Sequence, residues 1–275
     1  AENSFKWCVV DLSVMSLVSI TVPVYTTSNE EELLYLLSHS DSSFAFVNAK
    51  LLPVVLKLLP KLENIKYVIC IDNKSKTDFK KNAKFLNYNQ ILEIGRKSSL
   101  QDKFLDNFVN KLEEEDVVSL IYTSGTSSNP KGVMLTNKST ISNLLGAYEL
   151  VKGIEIKEHR FLSIIPLSHA YEHTAGFLLP MYIGAEIYFN NNRDQIVNDL
   201  QAVKPTLMVA VPRLYELLFK KINNQLLTQN KVAQKLFFKT IELGTKNFQG
   251  SKLSFTEEIT NSLLNLIIRK KIKKK

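Results

Sequence analysis

The apolar and polar positions in the first part of the chain alternate between helical and strand spacing. The segments with helical character are residues 5–18, 26–41 and 50–62. The apolar runs typical of strands are residues 19–25, 43–49 and 65–72. Because helices and strands that alternate in this way are typical of a parallel sheet flanked by helices, the sequence predicts an α/β fold.

Several boundaries carry local signals. Ser28 or Asn29 is the predicted N-cap of the second helix, because three glutamates follow in the first turn, where carboxylates favour the helix dipole. Pro53 is predicted to bend the third helix, since proline lacks the backbone N–H that a helix interior requires. The polar stretch at residues 73–90 is predicted to be a surface loop.

The alternation resumes at residue 117. The predicted strands in this part are residues 117–123, 131–136, 159–167, 184–189 and 205–211. A helix with Asn137 as its cap is predicted at residues 137–151, and the chain is predicted to be helical from residue 213 to its end. The expected architecture is α/β, with layered parallel and mixed sheets flanked by helices in residues 1–225 and a basic helical extension in residues 226–275.

Composition limits the class of protein. The chain has 275 residues, of which 45% are apolar, so it can bury a sizeable core. It has no run of about 20 apolar residues and no basic segment leading into an apolar one, so the sequence predicts neither a membrane-spanning helix nor a signal peptide. The two cysteines, Cys8 and Cys70, fit a reducing compartment, and the expected location is the cytoplasm.

The net charge of +8 is concentrated at the C-terminus. Six positive charges lie in the last seven residues, which leaves +2 for the rest of the chain. The body therefore offers no basic groove, and no nucleic-acid partner is expected. The tail is interpreted either as a solvated helix end or as a basic amphipathic anchor that touches the inner face of a membrane.

Residues 119–136, "SLIYTSGTSSNPKGVMLT", combine an apolar strand, a loop rich in hydroxyls and a second apolar strand. Small side chains let an anion approach the backbone N–H groups, hydroxyls donate further hydrogen bonds, and Lys131 adds a positive charge. This chemistry suits a polyphosphate. It is not a Walker A loop, because Pro130 precedes the lysine and Gly132 follows it. A flexible hairpin without a ligand is the alternative.

The pattern Y-T-S-G-T-x-x-x-P-K-G-V resembles the phosphate loop of the adenylate-forming enzymes, which include acyl-CoA synthetases and luciferases. Ser128 departs from that pattern, because the family usually has glycine there. Further similar segments are "AENSFKW", residues 20–47, "PLSHAYEHTAG", "GAEIYF" and residues 204–218. The forms "HAYEH" and "VPRLYE" are similar to the long-chain fatty acid branch, and the resemblance covers residues 1 to about 225.

The resemblance implies a reaction and its substrates. A fatty acid carboxylate attacks the α-phosphate of ATP, pyrophosphate leaves, and the thiol of CoA then displaces AMP from the acyl-adenylate. An anion that attacks an anion requires positive charge, hydrogen-bond donors and Mg²⁺ to offset the charge. The implied ligands are therefore ATP, Mg²⁺, CoA and a long-chain fatty acid.

The resemblance also implies roles for particular residues. The β- and γ-phosphates would contact Thr123, Ser124, Gly125, Thr126, Ser127, Ser128 and Lys131. Thr123 is the candidate hydroxyl ligand of the magnesium. His169 is expected beside the reacting carboxylate as the catalytic residue, with Tyr171 and Glu172 shaping the substrate pocket.

Other interpretations of the histidines remain open. His169 can instead lie at the start of a helix capped by Ser168, with its imidazole packed for structural reasons. "HAYEH" also matches the H-x-x-E-H zinc motif, with Glu172 as base and Glu242 as third ligand. That zinc-hydrolase interpretation leaves the hydroxyl loop unexplained. His39 and His159 have no such neighbours in the sequence and are predicted to be surface residues.

The later motifs of the family are missing from the sequence. These are an aromatic-Gly-x-Thr-Glu segment, a ribose-binding aspartate, a hinge and a C-terminal domain with a catalytic lysine. The chain is therefore expected to be an incomplete N-terminal domain. Two functional hypotheses follow: a synthetase fragment completed by a second polypeptide, and an inactive remnant that at most binds nucleotide or lipid.

Overall fold

The computed structural model describes residues 1–72, 84–98, 104–123, 129–154, 158–190 and 192–270. It confirms a mixed α/β fold. The chain divides into two compact units, Ala1–Val209 and Ala210–Lys275. The boundary expected at residue 225 stays a prediction.

The first unit begins with helices and a three-stranded parallel sheet. Its elements are α1 (Phe5–Ser16), α2 (Glu30–His39), β1 (Phe44–Val47), α3 (Leu52–Leu58), β2 (Tyr67–Cys70), β3 (Phe85–Asn87), α4 (Tyr88–Lys97) and α5 (Asp106–Val109). The strand order is β1-β2-β3, and both pairings are parallel. Buried apolar side chains of α2, α3 and all three strands belong to the larger core cluster, in which Leu52, Val55 and Val68 are almost completely buried.

The rest of the first unit contains two further pairs of strands. Its elements are β4 (Val117–Thr123), β5 (Lys131–Thr136), α6 (Asn137–Val151), β6 (Arg160–Ser163), α7 (Ala170–Glu172), a π-helical turn (His173–Leu178), α8 (Leu179–Tyr182), β7 (Glu186–Phe189) and α9 (Ile196–Val203). β4 and β5 pair antiparallel as neighbouring strands, and β6 and β7 pair parallel.

The second unit is helical in the residues that the structure describes. Its helices are α10 (Pro212–Leu227), α11 (Lys231–Phe248) and α12 (Phe255–Leu264), and a π-helical turn, Asn265–Arg269, follows. Arg269 links α11 and α12 within this unit. Its guanidinium donates hydrogen bonds to the Asn261 side chain (2.9 Å) and to the Thr240 carbonyl (3.2 Å). Within residues 1–270, outside the gaps, no helix combines the length and the apolar character needed to cross a membrane.

Two predicted strands are reduced to single bridges. In residues 19–25 only Thr21 pairs, with Ser119 of β4, because Pro23 lacks a backbone N–H for a ladder. In residues 205–211 only Leu207 pairs, with Phe161. The hydroxyl of Thr206 accepts the N–H of Arg160 (2.9 Å) in place of a backbone carbonyl, so a regular ladder does not form.

The prolines and the predicted loop also differ from expectation. Pro53 does not bend α3. It lies in the first turn, where the missing N–H is tolerated, and a 3₁₀ turn that contains Pro60 follows the helix. The predicted surface loop at 73–90 is wrong at its end, because residues 85–87 form β3 and Asn87 caps α4. Residues 73–83 lie outside the described part.

The caps are formed by reciprocal side-chain hydrogen bonds. Asn29 caps α2 in a capping box with Glu32, which confirms one of the two predicted caps. The prediction for α6 is wrong by one residue, because Thr136 is the cap and forms its box with Ser139. Asn137 instead donates from its side chain to the Glu113 carbonyl (2.8 Å), so it ties α6 to the segment before β4.

We expect Thr136→Ala to lower the free energy of unfolding by about 1 kcal/mol, because the capping hydrogen bond to the N–H of Ser139 is lost. Asn137→Ala should cost about 0.5 kcal/mol or less, since its hydrogen bond is exposed. Urea unfolding of the two variants measures both changes. A larger loss in Asn137→Ala would contradict the cap that the structure assigns.

Candidate functional site

The β4–β5 hairpin places two of the predicted phosphate-binding residues side by side. Thr123 is the last residue of β4 and Lys131 is the first of β5, and the two are register partners in the antiparallel ladder. Both residues are exposed to solvent. The hydroxyl of Thr123 and the ammonium of Lys131 can therefore face the same anion. The other predicted loop residues, Ser124, Gly125, Thr126, Ser127 and Ser128, lie outside the described residues.

His169 is the N-cap of α7, and this corrects the alternative in which Ser168 caps that helix. The Nδ1 atom of His169 accepts the backbone N–H of Tyr171 at 3.2 Å. An accepting Nδ1 carries no proton, so in the neutral imidazole the proton is on Nε2. His169 is exposed, as is half of the Tyr171 side chain. Its imidazole caps the helix from the surface rather than packing in the core, and among the described residues Nε2 has no hydrogen-bond partner.

Glu172, on the same short helix, is fully buried, with 0% of its surface exposed. Among the described residues, neither carboxyl oxygen has a hydrogen-bond partner. Burial raises the pKa of Glu172 to about 7, although Ser163 and the backbone of Ile164 oppose this shift without reaching hydrogen-bonding geometry. Gly176 makes room for the carboxyl group, because a Cβ there would lie 2.5 Å from its Cδ.

The next residue, His173, belongs to a buried polar pair. Its Nε2 lies 2.7 Å from the Oδ2 of Asp11 on α1, and both side chains are buried. The rings of Trp7 and Phe177 meet the imidazole edge-on, at centroid distances of 5.9 and 5.7 Å. The pair ties α1 to the turn that follows His169. The sequence does not point to Asp11, because no local pattern links residues 162 positions apart.

Burial and the nearby Asp11 carboxylate raise the pKa of Cys8 to about 12. Cys8 is therefore a neutral thiol that packs with Leu167 and Phe177 in the smaller core cluster. The structure gives this thiol no chemical role. Cys8 and Cys70 are both free and buried.

The arrangement does not support a zinc site at "HAYEH". His173 is bonded to Asp11, His169 caps a helix, and Glu172 is enclosed in the core. Glu242 pairs instead with Lys239 (2.8 Å) and Lys246 (3.6 Å). No group of three His, Cys, Asp or Glu side chains in the described part of the chain is placed to hold a metal.

His39 is exposed, which confirms the predicted surface position, but it also has neighbours that are distant in the sequence. Its Nδ1 lies 2.7 Å from the hydroxyl of Tyr122 at the end of β4, and its ring stacks on Tyr35. A local signal existed in part, because Tyr35 and His39 are four residues apart on one helix face. The four-residue spacing within α2 does not show that β4 supplies Tyr122 as the partner.

One groove of about 390 Å³ lies beside α6 and α8. It is lined by Tyr148, Val151, Lys152, Ile154, His159, Tyr182 and Ile183. None of the predicted site residues lines this groove. α6 nevertheless connects the two parts of the candidate site, because it follows β5 directly and packs against the π-helical turn after His169.

We expect Glu172→Gln to stabilise the protein relative to the wild type above pH 7. The folded-state pKa of about 7 lies above the ordinary 4.5, so the folded protein prefers the neutral acid. Below pH 4.5 the carboxyl is protonated in both the folded and the unfolded protein, so it does not lower the free energy of unfolding. As the pH rises from 4.5 through 7 the unfolded state loses its proton first, and the wild type becomes less stable. The full effect is on the order of 3 kcal/mol. Unfolding at pH 4 and pH 8 measures it, and a constant difference between the two proteins would contradict it.

Comparison with known proteins identifies a family and related proteins. A family model described as "AMP-binding enzyme" matches residues 1–259. Long chain acyl-CoA synthetase 6, peroxisomal, of Arabidopsis thaliana is 28% identical over 240 residues, which cover 86% of this chain and 33% of that protein. Fatty acyl-CoA synthetase A of Dictyostelium discoideum is 27% identical, and the match covers 80% of this chain and 32% of that protein. The chain spans about a third of the length of these curated relatives.

Solved structures share the fold at low sequence identity. Coronafacic acid ligase from Pectobacterium brasiliense superposes with a TM-score of 0.66 at 16% identity, over 84% of this chain and 42% of that one. The N-terminal domain of FACL13 from Mycobacterium tuberculosis gives 0.60 at 18% identity, over 78% and 49%. These likenesses confirm the α/β fold of an adenylate-forming ligase domain. Because the family model matches nearly the whole of the described sequence, the chain belongs to the AMP-binding enzyme family.

Proposed function

We propose that the chain takes part in the ATP-dependent activation of a long-chain fatty acid, first to the acyl-adenylate and then to acyl-CoA. The observation that carries this proposal is the pairing of Thr123 with Lys131 at the two ends of a hydroxyl-rich loop. The names of the relatives, which are long-chain and fatty acyl-CoA synthetases, support the substrate class.

In the first step, a carboxylate oxygen of the fatty acid attacks the α-phosphorus of ATP, and the bond from that phosphorus to the bridging oxygen breaks. Pyrophosphate leaves with the electron pair. We assign Lys131 and the loop residues Thr123 to Ser128 to the β- and γ-phosphates, because their charge and donors offset the charge that accumulates there. In the second step the sulfur of CoA attacks the acyl carbon and AMP leaves.

His169 is proposed as the residue beside the reacting carboxylate. Because its Nδ1 accepts the N–H of Tyr171, its Nε2 is the atom that donates a hydrogen bond to a carboxylate or phosphate oxygen. The exposed ring of Tyr171 can form a wall of the substrate pocket. Glu172 contributes to packing instead, because its fully buried side chain supports the turn and does not reach a ligand at the surface.

The hydroxyl of Thr123 fits a single oxygen ligand of a magnesium ion that accompanies the nucleotide, because it is exposed beside the proposed phosphate position. Magnesium in such sites keeps phosphate oxygens and waters as its other ligands. When bound, the ion supplies positive charge to the phosphates. Thr123 would help to orient it.

A catalytically inactive chain that binds nucleotide or lipid is the second candidate. After Gly184 the 275 residues contain only Gly244 and Gly250, and neither belongs to an aromatic-Gly-x-Thr-Glu segment. An active synthetase needs adenine- and ribose-binding motifs in addition to residues 1–275. The two candidates differ in whether a complementing polypeptide restores chemistry.

We expect Lys131→Ala to weaken ATP binding by the chain about three- to tenfold, because an exposed ammonium that contacts phosphate contributes a modest charge-assisted hydrogen bond. Isothermal titration calorimetry measures the dissociation constant. Lys152→Ala is the matched control, since it removes the same charge from the exposed end of α6. Equal ATP affinity of the wild type and Lys131→Ala would contradict phosphate binding by Lys131 and would favour the alternative, a hairpin without a ligand.

We expect the 275-residue chain alone to release no pyrophosphate from ATP and palmitate above background, since transition-state contacts to adenine and ribose are missing from its sequence. Addition of a polypeptide that carries the later family motifs should restore both pyrophosphate release and acyl-CoA formation. Rapid acyl-CoA formation by the chain alone would contradict this expectation. Binding of ATP without turnover in the mixture would favour the inactive candidate.

A further inference from the structure

An aromatic cluster, composed of Tyr35, His39 and Tyr122, joins α2 to the candidate phosphate hairpin. Tyr35 and His39 stack on one face of α2, with ring centroids 5.1 Å apart and planes inclined by 28°. The ring of Tyr122, from β4, meets both of them edge-on, at 6.4 and 5.7 Å. Such edge-on contacts are favourable beyond the area that they bury.

Two hydrogen bonds attach α2 to the two sides of the hairpin. The hydroxyl of Tyr122 lies 2.7 Å from Nδ1 of His39, and the hydroxyl of Tyr35 donates to the Pro130 carbonyl at 3.1 Å. Tyr122 immediately precedes Thr123, and Pro130 immediately precedes Lys131. One helix therefore holds the backbone directly beside both described phosphate-binding candidates.

The protonation of Tyr122 suits this contact. Burial raises the pKa of Tyr122, and the neighbouring Tyr35 acts in the same direction. The phenol therefore keeps its proton, and its O–H can donate a hydrogen bond to Nδ1 of His39 when the imidazole is neutral. Because a second helix residue, Tyr35, binds Pro130 on the other side, one contact restrains the end of β4 and the other restrains the residue before β5.

We propose that Tyr35, His39 and Tyr122 are positioning residues, which hold Thr123 and Lys131 at a fixed separation for a polyphosphate ligand. This proposal rests on the proposed function. The physical reason is preorganisation. A two-stranded hairpin is marginal by itself, and no residue of β5 is fully buried. Donors that are already held in place lose less freedom when an anion binds.

Two conservative variants test the role of the hydroxyls. Tyr35→Phe removes the donor to Pro130, Tyr122→Phe removes the hydroxyl beside His39, and both keep the ring contacts. Tyr67→Phe is the matched control, because it removes a phenol hydroxyl from β2 while its ring remains stacked on Phe44. The probe is inorganic tripolyphosphate in isothermal titration calorimetry of the full chain. We expect a two- to tenfold weaker affinity (an order-of-magnitude range for one hydrogen bond) in the two cluster variants and no change in the control.

Hydrogen exchange without any ligand provides the independent measurement. Backbone amides of residues 119–123 and 131–136 should exchange faster in both cluster variants, while the core strands β1 and β2 keep their protection. Unchanged exchange at both ends of the hairpin overturns the proposal. Unchanged tripolyphosphate affinity also overturns it, even with faster exchange. If the wild type binds no tripolyphosphate, the proposed function fails, and the exchange rates alone decide whether the aromatic cluster holds the hairpin.

Discussion

The antiparallel hydrogen bonding of β4 with β5 is the constraint on which the candidate site depends. The ladder places Thr123 opposite Lys131 and Tyr122 opposite Gly132, so the chemistry of the loop begins and ends at one edge of the hairpin. Gly132 suits this register, because a Cβ there would lie 2.9 Å from Leu120 and 3.4 Å from the Tyr122 ring. The absence of a side chain at Gly132 leaves the Tyr122 ring in place against α2.

The second half of the candidate site depends on buried polar groups. Asp11 and His173 satisfy one another, whereas Glu172 has no partner among the described residues and is more easily accommodated as a neutral acid. Glu172 and His173 follow the exposed His169 and Tyr171 in sequence, and the His173 N–H donates to the His169 carbonyl at 2.9 Å. Burial of the two following side chains anchors the turn that carries the exposed imidazole.

The sequence alone predicted the fold class and most elements of the chain. Asn29 and the glutamates after it specified the start of α2, and the apolar spacing specified α1, β1 and β2, because caps and periodicity act over a few residues. Errors occurred where local signals competed. Thr136 and Asn137 are both good caps, and only the packed α6 selects between them. The three-residue β3 is too short to show a period.

The hydroxyl loop and "HAYEH" are likewise local patterns, and their resemblance to the adenylate-forming enzymes pointed to the family and to His169 and Lys131 as candidates. The contacts that surround these candidates were decided by the tertiary structure. Tyr35 meets Pro130 across 95 positions, His39 meets Tyr122 across 83, and Asp11 meets His173 across 162. No periodicity or motif spans such separations, because the partners are chosen by the three-dimensional packing of whole helices and strands. Burial, and with it the raised pKa of Glu172, exists only once that packing has formed.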